Sequence, residues 1–353
     1  MLSYLHFPNF DPVIFQISGP AALRWYGFMY AVAFAFGYLG LWWLQRSGYA
    51  RISKTDVVNY MIAGVLGVFI GGRIGFLVFY EFDAMFLGSA PLGARIEQVF
   101  RVWEGGMSFH GGVIGVWLFV GVYARLKKQS FVNLLDCMQH WVPAGIVCVR
   151  IANFINGEIF GRTINDAAGN PITDGDKLPW YAMKFPTDPQ AMGMLRERGE
   201  SFVGGNPLPV DPALWAQIEP QIAGRYPVQL AEAALEGLAL LILIWVTRRW
   251  LRKPGMIVAM GLMGYAAARI PIEPLRQPDP QIDPNLASNA TTQLLTALNM
   301  TMGQLLCVGM FIVGAVFMFV SWKKNWFGPA YSDAELRYPF QKTVSKSERA
   351  TAA

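Results

Sequence analysis

Residues 57–80 read VVNYMIAGVLGVFIGGRIGFLVFY, and this stretch decides the fold. It contains one formal charge, on Arg73, within an apolar run that polar residues flank on both sides. A helix needs roughly 20 predominantly apolar residues to cross the hydrocarbon core of a bilayer. We therefore predict that residues 57–80 form a membrane-spanning helix.

Six further stretches meet the same criterion. They are Trp25 to Leu44, Phe109 to Leu126, Leu134 to Ile155, Val228 to Val246, Met256 to Ile272 and Met302 to Trp322. The chain of 353 residues is 54% apolar and only 15% charged, whereas soluble domains carry about 25% charged residues. The expected fold class is an all-α integral membrane protein with about seven transmembrane helices, which together occupy residues 25–322.

Loop charge predicts the orientation of these helices. The first, third and fifth loops and the segment after Trp322 are rich in lysine and arginine, whereas the second loop also carries acidic residues. Because positively charged loops stay in the cytoplasm, we expect the N-terminal segment 1–24 to be periplasmic and the polar tail 323–353 to be cytoplasmic. The same pattern accounts for the net charge of +5 without a nucleic-acid partner.

Two outward loops are long, and the longer one is expected to fold. Residues 161–226 are rich in glycine, proline and aspartate, but they also contain large apolar side chains such as Trp180 and Phe185. Long loops in compact proteins are usually functional lids or disordered segments. The apolar residues favour a folded periplasmic cap, formed by the long outward loops 161–226 and Gln277 to Met300.

Polar side chains inside the predicted spans are the candidate functional groups, because they are costly in hydrocarbon. Arg150 and Asn153 are three residues apart and share a helix face. Arg269, Glu273 and Arg276 also lie on one face if their helix persists. The planar fork of arginine suits bidentate binding of phosphate. Several arginines with few carboxylates therefore predict a site for an anionic lipid headgroup.

Simpler interpretations stand beside this one. Arg269 and Glu273 alone could pair to hold the bundle together, and two nearby prolines could kink the helix that aligns them. The motif GGRIG around Arg73 is typical of close helix packing as well as of a ligand site. His110, in GMSFHGG, is either a proton acceptor or a structural histidine. The residues alone leave chemistry and transport open.

At these residues the sequence resembles the prolipoprotein diacylglyceryl transferase family. The resemblance runs from about Tyr4 to Trp322. It is carried by YLHFPNFDPVIF from Tyr4, RVWEGGMSFHGG around His110, NFINGEIFGR from Asn153, PVQLAEAALEG from Pro227 and RIPIEPLRQPD from Arg269. GGMSFHGG and NFINGE, in this order and on the expected helices, are highly specific.

The resemblance implies an activity and a set of site residues. The family transfers the sn-1,2-diacylglyceryl group of phosphatidylglycerol to the thiol of a lipobox cysteine in the prolipoprotein signal peptide, and it releases glycerol 1-phosphate. The implied setting is the bacterial inner membrane and its lipids, with no metal or organic cofactor. The implied catalytic residues are His110, Tyr265, Arg150 and Arg269. The expected lipid-binding residues are Arg150, Asn153, Tyr26, Glu158, Gly161, Glu273 and Arg276, to which we add the span residue Arg73.

The chain departs from the family pattern at a few positions. The family usually has HPSQLYE where residues 226–232 read YPVQLAE, so that Tyr226 and Ala231 differ. Pro271 and Pro274 stand where the family has apolar residues. These departures leave open a diverged paralogue. A second alternative is a phospholipid-binding or transport protein that uses the same arginines without making bonds.

Overall fold

A computed structural model describes most of the chain. The described residues are 4–18, 21–79, 85, 91–100, 107–200, 202, 206–277, 300–323, 327–333 and 335–336. Most of the predicted outward segment between Gln277 and Met300 therefore lies outside them. The protein divides into two compact units. The first unit comprises residues 1–36, 141–245 and 259–316, and the second comprises residues 37–140, 246–258 and 317–353.

The fold is mostly helical. The helices are α1 (Trp25–Arg46), α2 (Asp56–Phe79), α3 (Leu92–Phe100), α4 (Phe109–Leu126), α5 (Phe131–Gln139), α6 (Val142–Ile155), α7 (Pro189–Glu197), α8 (Pro212–Ile218), α9 (Val228–Glu232), α10 (Leu240–Thr247), α11 (Met256–Ile272) and α12 (Met302–Lys323). A π-helical turn, Ala233–Ala239, joins α9 to α10. The strands are short: β1 (Leu5–His6), β2 (Val13–Ser18), β3 (Ala21–Arg24) and β4 (Met183–Lys184).

Several helices suit a bilayer. In the described part of the chain, five are long and apolar enough to cross a membrane, namely α1, α2, the α9–α10 rod, α11 and α12. Two shorter apolar helices, α4 and α6, accompany them. Large apolar side chains such as Leu39, Leu118 and Phe319 stay exposed on these helices, which is the surface that lipid tails would cover. The chain is therefore a mostly helical, multi-pass membrane protein.

The predicted fourth span, Leu134 to Ile155, is wrong as a single helix. The structure ends α5 at Gln139 and begins α6 at Val142, with Pro143 in the first turn of α6. Proline lacks a backbone donor and therefore suits a first turn better than a helix interior. Asp136, which the prediction placed inside the span, lies in α5 and caps the start of α11. Its carboxylate accepts hydrogen bonds from the backbone N–H groups of Gly255 and Val258 at 2.7 and 2.9 Å.

The glycines of the GGRIG motif are a packing surface in the second unit. A Cβ added to Gly71 of α2 would lie 2.5 Å from the carbonyl oxygen of Gly111 and 2.5 Å from the Cα of Gly115, both in α4. No side chain fits at that distance, and only small residues let two backbones approach so closely. The packing interpretation of this motif is confirmed for Gly71.

The described residues of the segment 161–226 are folded around a hydrophobic core in the first unit. That core includes Phe185, Leu195 and Ile218 of the loop together with Phe7 of the N-terminal segment. Strand β1 of the same segment pairs in parallel with β4, with Leu5 opposite Met183. We call residues 4–11 and 161–226 together the cap.

The beginning of the polar tail is packed within the second unit. Tyr331 is buried and stacks on Tyr49, with ring centroids 4.1 Å apart. Its hydroxyl donates to the carboxylate of Asp136 at 3.1 Å and accepts from the amide of Asn133 at 2.9 Å. The buried ring and these two hydrogen bonds anchor the described beginning of the tail in the second unit.

Candidate active site

One half of the candidate site lies at the end of α6. Arg150 and Asn153 share a helix face as expected, and Nη1 of Arg150 donates to Oδ1 of Asn153 at 3.3 Å. The amide of Asn153 donates in turn to Oε1 of Glu158, at 2.9 Å, in the loop that follows. Burial raises the pKa of Glu158, because a charged carboxylate loses its hydration there. This carboxyl group is therefore closer to neutrality than an exposed glutamate.

The other half lies at the end of α11. This helix continues through Pro271 to Ile272, and a 3-10 turn, Glu273–Leu275, follows it. Nη2 of Arg269 lies 2.9 Å from Oε2 of Glu273, and Nε of Arg276 lies 3.8 Å from the same oxygen. Arg269 and Glu273 are thus paired, as in the simpler interpretation, but this pair is one contact of a wider network.

Glu232 of α9 joins the two halves. Its side chain has no exposed area, and three guanidinium groups surround it. Nε of Arg150 lies 2.9 Å from one carboxylate oxygen, while Nη1 of Arg269 and Nη1 of Arg276 lie 2.5 and 2.7 Å from the other. A buried carboxylate is tolerated only when its charge is compensated. One glutamate thus holds three arginines in a common position.

Glu236 is a second buried carboxylate, one turn further along the same rod. Its Oε1 lies 3.1 Å from Nη1 of Arg269, and its Oε2 lies 3.9 Å from Nη2 of Arg150. Glu236 belongs to the π-helical turn Ala233–Ala239. Such turns are rare and occur frequently at functional sites. We call Arg150, Arg269, Arg276, Glu232, Glu236 and Glu273 the arginine–glutamate network.

The expectation of arginines with few carboxylates is wrong for this network. Its three arginines face three glutamates, so that its formal charge is balanced. Sequence reasoning missed Glu232 and Glu236, although glutamates inside an apolar span are themselves a signal of a site.

Glu232 and Glu236 are fully buried, whereas the arginine side chains keep 11–17% of their area exposed. The exposed part of the network therefore consists of the arginines and Glu273, which is 14% exposed, with Glu232 and Glu236 behind them.

Gly161 sets the distance between the cap and the end of α11. Its N–H donates to the carbonyl of Tyr226 at 2.8 Å, and its backbone pairs with that of Arg276. A Cβ at this position would lie 2.5 Å from the carbonyl oxygen of Leu275 and 2.8 Å from the Cβ of Tyr226. Only glycine allows this approach, and the approach fixes the backbone that carries Arg276.

Two tyrosines of the first unit flank the network. Tyr26, in the first turn of α1, packs on Tyr30 with ring centroids 5.3 Å apart, and its hydroxyl interacts with the side chain of Asn153. Tyr265 of α11 lies one turn before Arg269 and is close enough to Glu236 to interact electrostatically with it. Both tyrosines therefore lie beside other predicted site residues, and their roles stay predictions.

Nine of the predicted site residues lie in the first unit. They are Tyr26, Arg150, Asn153, Glu158, Gly161, Tyr265, Arg269, Glu273 and Arg276. His110 and Arg73 belong to the second unit. His110 lies in the first turn of α4, and its side chain is outside the described part of the structure. Arg73 donates to the carbonyl groups of Gln98 and Val99 in α3, at 2.5 and 3.2 Å. The functional roles of these two residues stay predictions.

The motif YPVQLAE touches the network through the residues that match the family pattern. Gln229 donates to the carbonyl of Glu158 at 2.8 Å, and Glu232 is the carboxylate described above. Tyr226 replaces the usual histidine and stacks on Tyr181, with ring centroids 5.9 Å apart and planes inclined by 17°. The departure at Tyr226 therefore keeps a flat ring in the cap and leaves the charged contacts intact.

Comparison with known proteins decides the family. The family model described as prolipoprotein diacylglyceryl transferase matches residues 12–320. The chain belongs to this family. Proteins named phosphatidylglycerol--prolipoprotein diacylglyceryl transferase from Salmonella choleraesuis (strain SC-B67), Salmonella paratyphi B and Salmonella enteritidis PT4 are 39% identical to it over 324 residues, or 92% of this chain and 97% of each relative. The resemblance drawn from the motifs is confirmed, and the alternative of a non-catalytic lipid-binding protein is not favoured.

Replacing Gly161 with alanine tests whether the close approach of its backbone to the carbonyl of Leu275 matters for activity. The added Cβ must push Leu275 away and so displace Arg276, and overpacking of this kind costs about 1–3 kcal/mol. We expect Gly161→Ala to lower transferase activity about tenfold or more. The control is Gly193→Ala in α7, where an added Cβ meets nothing within 4 Å. Equal activities of the two purified variants would contradict the role assigned to Gly161.

Proposed function

We propose that this protein transfers the diacylglyceryl group of phosphatidylglycerol to the cysteine thiol of prolipoproteins. The observation that carries the proposal is the arginine–glutamate network, in which Glu232 fixes Arg150, Arg269 and Arg276 at one place. The names of the relatives supply the two substrates. Fixed arginines with a partly exposed face suit the one anionic group of phosphatidylglycerol, its phosphate.

The charge that develops during transfer explains why the arginines are fixed in advance. The phosphate of phosphatidylglycerol is a diester with one negative charge, whereas the released glycerol 1-phosphate is a monoester with up to two. Negative charge therefore grows on the phosphate as the carbon–oxygen bond breaks. Donors that already point at that position stabilise the growing charge without having to reorganise. Glu232 and Glu236 supply this preorganisation by holding the arginines from behind.

The remaining chemistry needs a base. A cysteine thiol has a pKa of roughly 8.5, and its thiolate is the nucleophile. In the proposed step the base takes the thiol proton, and the sulfur forms a bond to the carbon of the diacylglyceryl unit that bears the phosphate. The carbon–oxygen bond breaks, and its electron pair stays on the phosphate oxygen of glycerol 1-phosphate. We assign the base role to His110, assisted by Tyr265, and the binding of the headgroup to Tyr26, Asn153 and Glu158.

The proposed setting is the bacterial inner membrane, with the N-terminus and the cap on the periplasmic side and the C-terminus in the cytoplasm. The basic loops that follow α1, α4 and α10 support this orientation. A reporter enzyme that is active only outside the cytoplasm is expected to be active when fused after Gly199 of the cap. The same reporter should be inactive when fused after Lys128. The reverse pattern would overturn the orientation.

Complementation tests the transfer itself. In a strain depleted of its own transferase, the wild-type protein is expected to restore lipoprotein modification. Arg150→Ala is expected not to restore it, because the loss of one fixed donor to a developing negative charge costs about a hundredfold or more in rate. Arg150→Lys should recover only part of the activity, since a point charge cannot contact Asn153 and Glu232 as the fork does.

Arg125→Ala serves as the matched control, because this arginine is exposed at the end of α4. It is expected to behave like the wild type. A stably inserted wild-type protein that fails to rescue the strain would sink the proposed activity. Rescue by Arg150→Ala would show that Arg150 is not needed for the reaction, but it would not contradict the proposed transferase activity.

His110→Gln separates catalysis from lipid binding. Glutamine keeps a polar side chain but cannot accept the thiol proton, so kcat is expected to fall about a hundredfold while the KM for phosphatidylglycerol changes little. The assay is turnover of phosphatidylglycerol and a lipobox peptide by the purified variant. A rise in KM with an unchanged kcat would make His110 a binding residue instead of the base.

A further inference from the structure

The loop of residues 157–162, between the two halves of the site, is held in place at nearly every residue. Four contacts hold it: Gly157 O with the hydroxyl of Thr187, Glu158 O with Nε2 of Gln229 at 2.8 Å, the ring of Phe160 stacked on Phe185 at 4.9 Å, and Gly161 N with the carbonyl of Tyr226 at 2.8 Å. These contacts come from the cap and from α9. They leave the backbone between Glu158 and Phe160 little conformational choice.

Ile159 sits in the middle of this loop with a backbone that isoleucine adopts only at a cost. Its φ is +57°, in the left-handed region, where a β-branched residue is a genuine outlier. The preceding Gly157 also has a positive φ, +65°, but glycine accepts it freely. Strain of this kind persists only where the surrounding structure enforces it, and it concentrates at functional sites.

Packing inside the protein does not compensate for that strain. Ile159 is 42% exposed, so that part of its apolar area still faces outward. Its direct neighbour Glu158 hydrogen-bonds Asn153, which in turn accepts from Arg150. The fold therefore holds an apolar side chain outward, within a few residues of the groups proposed to bind the phosphate.

We infer that Ile159 contacts the apolar segment of the signal peptide and thereby places the acceptor cysteine at the site. This inference rests on the proposed function. A secretory signal peptide carries an apolar region of 7–15 residues just before its processing site, which is the chemistry that an outward isoleucine recognises. Ile159 lies after the end of α6, next to Glu158, which accepts from Asn153. The acceptor cysteine has to reach the phosphate at this site, so the apolar region just before it must pass close to Ile159. We therefore assign the peptide, and not the lipid tails, as the partner of Ile159.

Substitutions at Ile159 separate this contact from a structural role. Ile159→Gly and Ile159→Asn both accept the left-handed backbone, so their melting temperatures in detergent should not fall. Both remove the apolar contact, so the KM for a lipobox peptide is expected to rise about tenfold. The KM for phosphatidylglycerol should stay unchanged. Ile159→Leu keeps an apolar side chain and should keep the wild-type KM for the peptide to within about twofold.

Lys128→Gly is the matched control. Lys128 is another non-glycine residue with a positive φ, +53°, and it lies in the loop after α4. The same relief of the backbone there should leave both KM values at the wild-type level. A rise in the KM for phosphatidylglycerol in Ile159→Gly would assign the residue to the lipid and overturn the inference. A lowered melting temperature with unchanged KM values would make the role structural and would also overturn it.

A binding measurement keeps this inference separate from the transfer reaction. A fluorescent lipobox peptide whose cysteine is replaced by serine cannot be modified, so its affinity reports the contact alone. We expect Ile159→Gly to bind this peptide about tenfold more weakly than the wild type or Lys128→Gly. Equal affinities would overturn the contact even if the enzyme is active. An inactive wild type that shows the expected difference in affinity would instead remove only the proposed transfer.

Discussion

The structure of the site depends on one buried carboxylate. Glu232 has no contact with solvent, and it lies within 3 Å of guanidinium nitrogens from α6, α11 and the turn after α11. Leaving one partner of a buried ion pair uncompensated costs about 3–5 kcal/mol, and here one glutamate compensates three partners at once. The relative positions of α6, α9 and α11 at this level are therefore set by charge as well as by apolar packing.

The same arrangement explains how a charged site can exist beside a membrane and still bind the transition state more strongly than the ground state. With three arginines and three glutamates the network has no net formal charge, so no buried charge is left uncompensated before a substrate arrives. A phosphate is therefore bound through hydrogen bonds to the partly exposed guanidinium groups, and not through a net positive charge of the network. The growth of negative charge during bond cleavage provides a stage at which the arginines bind more strongly than in the ground state.

The cap takes part in this geometry through backbone contacts. Gly161 approaches Leu275 too closely for any side chain, and the loop before it keeps Ile159 in a strained conformation with its side chain outward. A strand from the N-terminal segment completes the cap by pairing with β4. Residues far apart in the sequence thus meet in the cap, whose backbone pairs with that of Arg276 and carries the proposed peptide contact.

The sequence by itself determined the apolar helices, because run length and composition are local properties that no partner has to complete. It also determined the family, and it placed Arg150 and Asn153 on one face because helical spacing is local too. The break at Pro143 and the capping role of Asp136 needed the structure, since a polar residue in an apolar stretch does not reveal its partner. Only the tertiary structure decided that Glu232 and Glu236 neutralise the arginines. The physical reason is that ion pairing depends on which helix faces meet, and spacing along the chain carries no information about that meeting.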